Sequence, residues 1–258
     1  MFGLPDGVTA CLFDMDGVVT KTALVHSAAW KEMFDDFLRQ HAKDTGTEFV
    51  PFDSHDYDTY VDGKPRLDGT QSFLESRDIK LPEGSPDDPA GKATINGLSN
   101  KKNDLVLAVL ARDGVQVYND TITYINAVRA GGLATAIVSS SANTQQVLDS
   151  AGIADLFDVR VDGQIATMRK LRGKPAPDTF LAAAAELKVP ADRAAVFEDA
   201  LAGVEAGRAG GFALVVGVDR VGQAEQLRTH GADIVVKDVA ELLDKDLDKD
   251  RQSDKDAR

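Results

Sequence analysis

Two carboxylates lie two residues apart where a short apolar run ends, and they carry the clearest chemistry in the sequence. The run 10–13 has strand-like composition and leads into Asp14, Met15, Asp16 and Gly17. In extended backbone, residues i and i+2 project to the same face, so we expect Asp14 and Asp16 to crowd together. Like charges this close are costly unless a cation binds between them or one carboxyl keeps a proton. An acidic turn at a strand end is the simpler alternative for this stretch alone.

These carboxylates are suited to phosphoryl transfer. Asp14 is the candidate nucleophile, because a carboxylate can attack phosphorus and form an acyl phosphate. Asp16 is the candidate general acid/base, which protonates the leaving oxygen. Glu198 and Asp199 follow the apolar run 194–197 and add oxygens of the kind that Mg²⁺ prefers. Taken alone, Glu198 and Asp199 are equally consistent with favourable acidic residues at the start of a helix.

Two further polar residues fit the same chemistry. Lys174 precedes a proline-rich segment, and an ammonium fixed among carboxylates would neutralise charge and hold Asp14 in place. Ser139 follows the apolar run 133–138 and could donate to a phosphoryl oxygen, helped by backbone N–H groups at the next helix start. Taken alone, Lys174 is a solvated lysine and Ser139 an ordinary strand-end serine. Ser141 is predicted to cap a helix over 142–151.

From residue 121 onward, short apolar runs alternate with helical patterns, which predicts a parallel sheet with helices on both faces. The predicted strands are 133–138, 157–161, 194–197, 212–218 and 234–236. The predicted helices are 121–130, 142–151, 178–188, 201–209 and 224–229. Ligands of such sheets bind at the carboxyl ends of the strands. All four polar clusters lie at or just beyond predicted strand ends, with Lys174 in the loop after the strand at 157–161.

Between the first predicted strand, at 10–13, and the helix at 121–130, the pattern is helical and no buried strand is evident. Helices are predicted over 24–42, 67–76 and 101–112, with loops at 44–60 and 81–91. The predicted fold class is therefore α/β, with a core domain over 1–23 and 113–243 and an inserted helical domain over 24–112. The charged segment 244–258 is predicted to be disordered.

Composition limits the partners. The 258 residues carry a net charge of −13, which disfavours nucleic acid and anionic membranes as partners. Such a field also repels phosphate esters, so their binding needs a metal ion and local Lys or Arg. No apolar run approaches the roughly 20 residues that a membrane helix requires. With a single cysteine and no pattern of a signal peptide, we expect a cytoplasmic protein.

Four segments together resemble the ordered motifs of the haloacid-dehalogenase-like phosphotransferases: Phe13–Val18, Ser139, Lys174–Asp178 and Val196–Asp199. The resemblance implies a Rossmann-like core, an inserted helical cap and a Mg²⁺-dependent aspartyl-phosphate mechanism. It assigns the Mg²⁺ to Asp14, the backbone carbonyl of Asp16 and Asp199, with Glu198 in support. The dehalogenases of this superfamily lack the second aspartate of the pair, so Asp16 argues against that activity.

The cap resembles that of the β-phosphoglucomutase-like branch. The resemblance implies that the protein binds a hexose phosphate and its bisphosphate and converts β-D-glucose 1-phosphate to glucose 6-phosphate. It also implies that Arg66 binds the non-reacting phosphate. The substrate-binding residues that it implies are Thr22, His26, Trp30, Gly63, Arg66, Lys102, Ser140, Ser141 and Asn143. Surface charge at Arg66 and Lys102 is the alternative, and a sugar-phosphate phosphatase is the alternative function. Lys21 and the long loops at 44–60 and 81–91 depart from the branch. An enclosing cap needs no partner subunit, so we expect a monomer.

Overall fold

A computed structural model describes residues 2–244 of the chain. These residues form two compact units, one from residues 2–21 and 116–244 and the other from residues 22–115. The first unit carries the sheet and the second is helical. Of the charged segment 244–258, which was predicted to be disordered, residues 245–258 lie outside the described part of the chain. Among residues 2–244, no helix has the length and apolar character needed to cross a membrane.

The first unit is built on a six-stranded parallel sheet, which confirms the predicted α/β class. The strands are β1 (Ala10–Phe13), β2 (Ala134–Val138), β3 (Val159–Val161), β4 (Ala194–Glu198), β5 (Leu214–Val218) and β6 (Ile234–Val236). Their order is β3-β2-β1-β4-β5-β6, and every pairing is parallel. The order reverses between β1 and β4, and this switch point is where parallel sheets bind ligands.

Both faces of the central strands are buried, as expected for parallel strands covered by helices. Helices of this unit are α5 (Asn119–Ala130), α6 (Thr144–Ala151), α7 (Gly163–Arg169), α8 (Asp178–Glu186), α9 (Leu201–Ala209) and α10 (Ala224–Thr229). On one face, Leu12 and Val196 join a cluster with Phe180 of α8. On the other, Phe13 stacks on Phe197 with ring centroids 4.5 Å apart and meets the ring of Tyr124 of α5 edge-on.

Apart from shifts at the ends of strands and helices, two details of this unit differ from the predictions. Helix α7 was not predicted, so Lys174 follows a helix and does not directly follow β3. The side chain of Asp162 starts α7 by accepting the N–H of Ile165 at 2.9 Å. Helix α6 begins at Thr144, and Ser141 is not its N-cap. The Ser141 hydroxyl instead accepts the N–H of Asn143 at 3.1 Å and so forms a turn before the helix.

The second unit contains α1 (Ala23–Thr45), α2 (Ser54–Asp56), α3 (Arg66–Ser76) and α4 (Ile95–Asp113). Its core includes a cluster of rings from Trp30, Phe34, Phe52 and Phe73, which meet stacked, tilted or edge-on. The stretch 44–60, predicted as a loop, contains α2 and the start of a π-helical turn over Tyr57–Val61. Helix α4 starts six residues before the predicted 101, because Thr94 caps it by accepting the N–H of Gly97.

Candidate active site

The sheet places two acidic segments side by side at its switch point. Asp14 directly follows β1, and its N–H donates to the carbonyl of Phe197 in β4 at 2.9 Å. Glu198 is the last residue of β4 and Asp199 follows it. The pairing of β1 with β4 puts Phe13 opposite Phe197, so the residues that follow them meet at the same sheet edge. The sequence expectation that these carboxylates meet at strand ends is realised in this geometry.

Lys174 reaches the same place from the loop between α7 and α8. Its Nζ donates to Asp14 Oδ1 and lies 2.5 Å from Glu198 Oε1. A third contact, at 3.3 Å, is with the carbonyl of Val138, the last residue of β2. Lys174 and Glu198 are almost completely buried, at 2% and 0% exposure. A lysine buried to this extent requires paired carboxylates, and the two neighbours supply them.

The loop after Asp14 turns tightly and brings its backbone against Asp199. The carbonyl of Met15 accepts the N–H and the hydroxyl of Thr20, and the N–H of Gly17 donates to the carbonyl of Thr20. Gly17 has a φ of +90°, and a Cβ there would lie 1.7 Å from Asp199 Oδ2. Only glycine fits both requirements. The loop leaves the Asp16 side chain half-buried beside the Asp14 carboxylate.

The Glu198 side chain is fixed from two directions. Its Oε2 accepts the N–H of Ala200 at 3.1 Å, while Oε1 faces Lys174. On the far side lies Gly203 of α9, where a Cβ would be 1.8 Å from Glu198 Oε1. Gly203 is one of two glycines within α9, and a glycine inside a helical pattern is the sequence signal for such a close approach.

Asp14, Glu198 and Asp199 form a group that can hold a metal ion. Each offers one carboxylate oxygen, and these oxygens all lie within 4.8 Å of one another. The three carboxylates and the Lys174 ammonium together carry a formal charge of −2, which a divalent cation neutralises. The donor set is all oxygen, which suits a hard divalent cation such as Mg²⁺. The Asp16 carboxylate is not a member of this group.

The charges of the site favour a bound cation. Burial raises the pKa of the Asp14 carboxyl well above its usual value, with further increases from Glu198 and Asp16 and a decrease from Lys174. For Lys174, burial opposes the charged form, but Asp14 and Glu198 outweigh burial and hold the pKa of its ammonium above the usual value. Lys174 is therefore protonated at neutral pH. A bound divalent cation favours the ionised form of Asp14, which nucleophilic attack requires.

The loop after β2 is shaped by its serine hydroxyls. Ser139 is buried, and its Oγ accepts the N–H of Ser141 at 3.0 Å. The side chains of Ser140, Ser141 and Asn143 are only partly buried. These residues follow β2 at the same sheet edge as Asp14, because β1 and β2 are parallel neighbours. The loop therefore presents hydroxyl, amide and backbone donors at the edge that carries the carboxylates.

In the second unit, the structure brings together three of the predicted substrate-binding residues. Lys102 of α4 is buried, with its Nζ 2.9 Å from His26 Nδ1 and 4.8 Å from the centroid of the Trp30 ring. A charged Lys102 has only donors, and in that state His26 Nδ1 accepts its hydrogen bond. The packing argues against the alternative that Lys102 is a surface charge.

Arg66 also differs from an ordinary surface arginine in its burial and hydrogen bonding. It is the first residue of α3 and is half-buried, and its buried Nε has no hydrogen-bond partner among the described residues. Burial lowers the pKa of its guanidinium, and the nearby charge of Asp104 opposes that change. Gly63, at a φ of +72°, lies three residues before it. Thr22 is buried before α1, where its carbonyl accepts the N–H of His26.

Comparison with known proteins agrees with this site. A family model described as haloacid dehalogenase-like hydrolase matches residues 8–211. A β-phosphoglucomutase of Mycobacterium tuberculosis is 56% identical over 247 residues, covering 94% of this chain and 94% of that protein. A β-phosphoglucomutase of Bacillus subtilis is 33% identical over 235 residues, covering 90% of this chain and 91% of that protein.

Similarity extends to solved structures. The crystal structure of a β-phosphoglucomutase from Clostridium difficile superposes with a TM-score of 0.71 at 25% identity. That match covers 91% of this chain and 93% of the other. On these matches, the chain belongs to the haloacid dehalogenase-like hydrolase family, in its β-phosphoglucomutase-like branch.

Proposed function

We propose that the protein is a Mg²⁺-dependent β-phosphoglucomutase, which interconverts β-D-glucose 1-phosphate and glucose 6-phosphate through a phosphorylated Asp14. One observation carries the proposal. The 56% identity to a β-phosphoglucomutase covers 94% of both chains, so it includes most of the second unit as well as the core. A phosphatase of the same family has the same core chemistry, which makes similarity in the second unit the discriminating part.

The reaction begins with the phosphoryl group on Asp14. The 6-hydroxyl of β-D-glucose 1-phosphate attacks it and gives its proton to Asp16, which forms the 1,6-bisphosphate and regenerates the Asp14 carboxylate. The bisphosphate then rebinds in the opposite orientation. Asp14 attacks the phosphorus at position 1, and Asp16 returns the proton to the departing sugar oxygen. Glucose 6-phosphate leaves, and Asp14 is phosphorylated again.

The residues around Asp14 orient its carboxylate and neutralise the charge of the transferring phosphoryl group. Lys174, paired with Asp14 and Glu198, fixes the attacking carboxylate and offsets the charge of the transferring group. Ser139 and the loop residues Ser140, Ser141 and Asn143 donate hydrogen bonds to phosphoryl oxygens. Asp14, Asp199 and the Asp16 carbonyl, with Glu198 in support, would hold Mg²⁺, which would supply positive charge to the phosphoryl oxygens.

The second unit binds the rest of the substrate in this proposal. Arg66 grips the non-reacting phosphate, because a planar guanidinium binds phosphate through two parallel hydrogen bonds. Its buried Nε without a partner supports this role, since a buried donor is normally satisfied. Lys102, His26 and Trp30 contact the sugar phosphate, together with Thr22 and Gly63. The proposed working form is a cytoplasmic monomer, and the net charge of −13 disfavours a nucleic-acid partner.

Phosphorus NMR tests the proposal directly. Purified protein is mixed with Mg²⁺, β-D-glucose 1-phosphate and a trace of glucose 1,6-bisphosphate. We expect glucose 6-phosphate to accumulate with little inorganic phosphate, and chelation of Mg²⁺ to stop the conversion. Inorganic phosphate as the main product would replace the mutase with a sugar-phosphate phosphatase. No turnover of the sugar phosphate would contradict both.

Replacing Arg66 with alanine separates these two functions. For a mutase, we expect kcat/KM for β-D-glucose 1-phosphate to fall on the order of 10²-fold, since charge-assisted hydrogen bonds to the second phosphate are lost. R66K should recover only part of this loss, because an ammonium lacks the planar fork. The control is R112A, which removes an exposed arginine from the same unit and should leave kcat/KM unchanged. Equal rates for R66A and R112A would disprove the role of Arg66.

A further inference from the structure

The loop after β5, residues 219–223, is fixed by its own first side chain. Asp219 Oδ1 accepts the N–H groups of Gly222 and Gln223 at 2.7 and 2.8 Å. The N–H of Asp219 donates to the carbonyl of Val236 in β6. The loop is therefore closed by local hydrogen bonds and attached to the sheet. None of its residues was predicted to belong to the site.

Two side chains of this loop donate to the backbone of the two acidic segments. Arg220 Nε donates to the carbonyl of Gly17 at 3.0 Å, one residue beyond Asp16. Gln223 Nε2 donates to the carbonyl of Asp199 at 2.9 Å in a buried hydrogen bond. One short loop thus contacts both the segment that carries Asp16 and the segment that carries Asp199.

Arg220 is itself rigidly held. Its guanidinium lies 3.6 Å from the centroid of the Tyr118 ring, and its side chain is 12% exposed. Nη1 donates to the carbonyl of Lys237 at 2.7 Å and pairs with Asp238 at 3.1 Å. The planar group makes these contacts together with the bond to Gly17. A lysine has one nitrogen and no plane, so it cannot reproduce them all.

We propose that Arg220 and Gln223 are positioning residues, which hold the Asp16 and Asp199 segments at the separation that Mg²⁺ binding and phosphoryl transfer require. The inference rests on the proposed function. Each acidic segment is a loop at a strand end. The loop after β5 fixes the two segments by donating hydrogen bonds to the carbonyls of Gly17 and Asp199. Residues that orient ligands in this way typically affect metal affinity or activity by about 10- to 100-fold.

The test compares R220M and Q223M with the wild-type protein. Calorimetric titration with Mg²⁺ alone is expected to give about 10- to 100-fold weaker binding for each variant. At saturating Mg²⁺, kcat for the sugar phosphate should fall while KM stays within a factor of two or so, because substrate-binding groups are untouched. R220K should resemble R220M, since the fork and the ring contact do the positioning.

The matched control is R129M. Arg129 also lies in the first unit and donates to a backbone carbonyl, that of Leu156 at 2.9 Å, and to the Thr135 hydroxyl at 2.8 Å. These contacts lie at the amino ends of β2 and β3, at the sheet edge away from the acidic residues. Loss of the Arg129 side chain should therefore lower Tm and leave Mg²⁺ affinity unchanged. Wild-type Mg²⁺ affinity and kcat in both R220M and Q223M, with their folds intact, would overturn the inference. If R220M does not fold, Q223M and R220K give the same decision.

The Mg²⁺ titration needs no sugar phosphate. If the wild-type protein binds Mg²⁺ but does not convert β-D-glucose 1-phosphate, the proposed substrate is wrong. The positioning role is then still decided by the Mg²⁺ affinities of the variants. The proposed substrate and the positioning role of Arg220 and Gln223 can therefore be disproved independently of each other.

Discussion

Replacing Asp14 with asparagine is expected to lower turnover by about 10⁴-fold or more, because the amide cannot form an acyl phosphate. The fold should remain intact. Asp14 is buried, and burial already disfavours its charged form, so a neutral side chain of the same shape is tolerated. Rates measured by phosphorus NMR and Tm measured by circular dichroism test both expectations on the same preparation.

The control for this substitution is D155N, which makes the same chemical change at an exposed aspartate of the first unit. We expect D155N to keep wild-type turnover. Substantial activity in D14N, after contaminating wild-type protein has been excluded by mass spectrometry, would remove Asp14 as the nucleophile.

Replacing Lys174 with methionine should damage both activity and stability. Methionine fills a similar volume but leaves Asp14 and Glu198 buried without their cation. Removing one partner of a buried ion pair costs about 3–5 kcal/mol, and two carboxylates lose their partner here. We expect the free energy of unfolding, measured in urea without Mg²⁺, to fall by about that amount, and turnover to be lost with it.

The matched control is K188M, which removes an exposed lysine from the end of α8 in the same unit. It should unfold at the wild-type urea concentration and keep its turnover. Added Mg²⁺ should restore part of the stability of K174M but not its turnover, because the metal offsets negative charge without orienting Asp14. Wild-type stability of K174M in the absence of Mg²⁺ would contradict the buried ion-pair network.

The fold class could be predicted because parallel strands leave short apolar runs in the sequence. The run 10–13 forms β1, and the five later runs lie where β2 to β6 form. β2, β3 and β5 begin one or two residues later than predicted. The ends of some helices could not be predicted. Helix α4 begins at a Thr94 cap, and α7 begins at Asp162, which are local hydrogen bonds that apolar periodicity does not report.

The acidic residues of the site could be located because they end strands that meet at one edge. Arg220 and Gln223 could not, since they act on the carbonyls of Gly17 and Asp199. A backbone carbonyl is present at every residue, so a donor directed at it leaves no pattern of residue types. Lys102 and His26 were predicted from resemblance alone, because they lie 76 residues apart in sequence and only folding brings them together.

The position of β1 has a consequence for synthesis of the chain. β1 is made first, yet it lies between β2 and β4, with Ala10 beside Ala134 and Ala194. Its partners emerge from the ribosome only after the whole helical insertion, which has an aromatic core of its own. Pairing between such distant segments is slow, so the insertion can fold before the sheet during translation. Nascent chains that end before residue 199 contain only β1 to β4 and lack part of the acidic group, so we expect no activity from them.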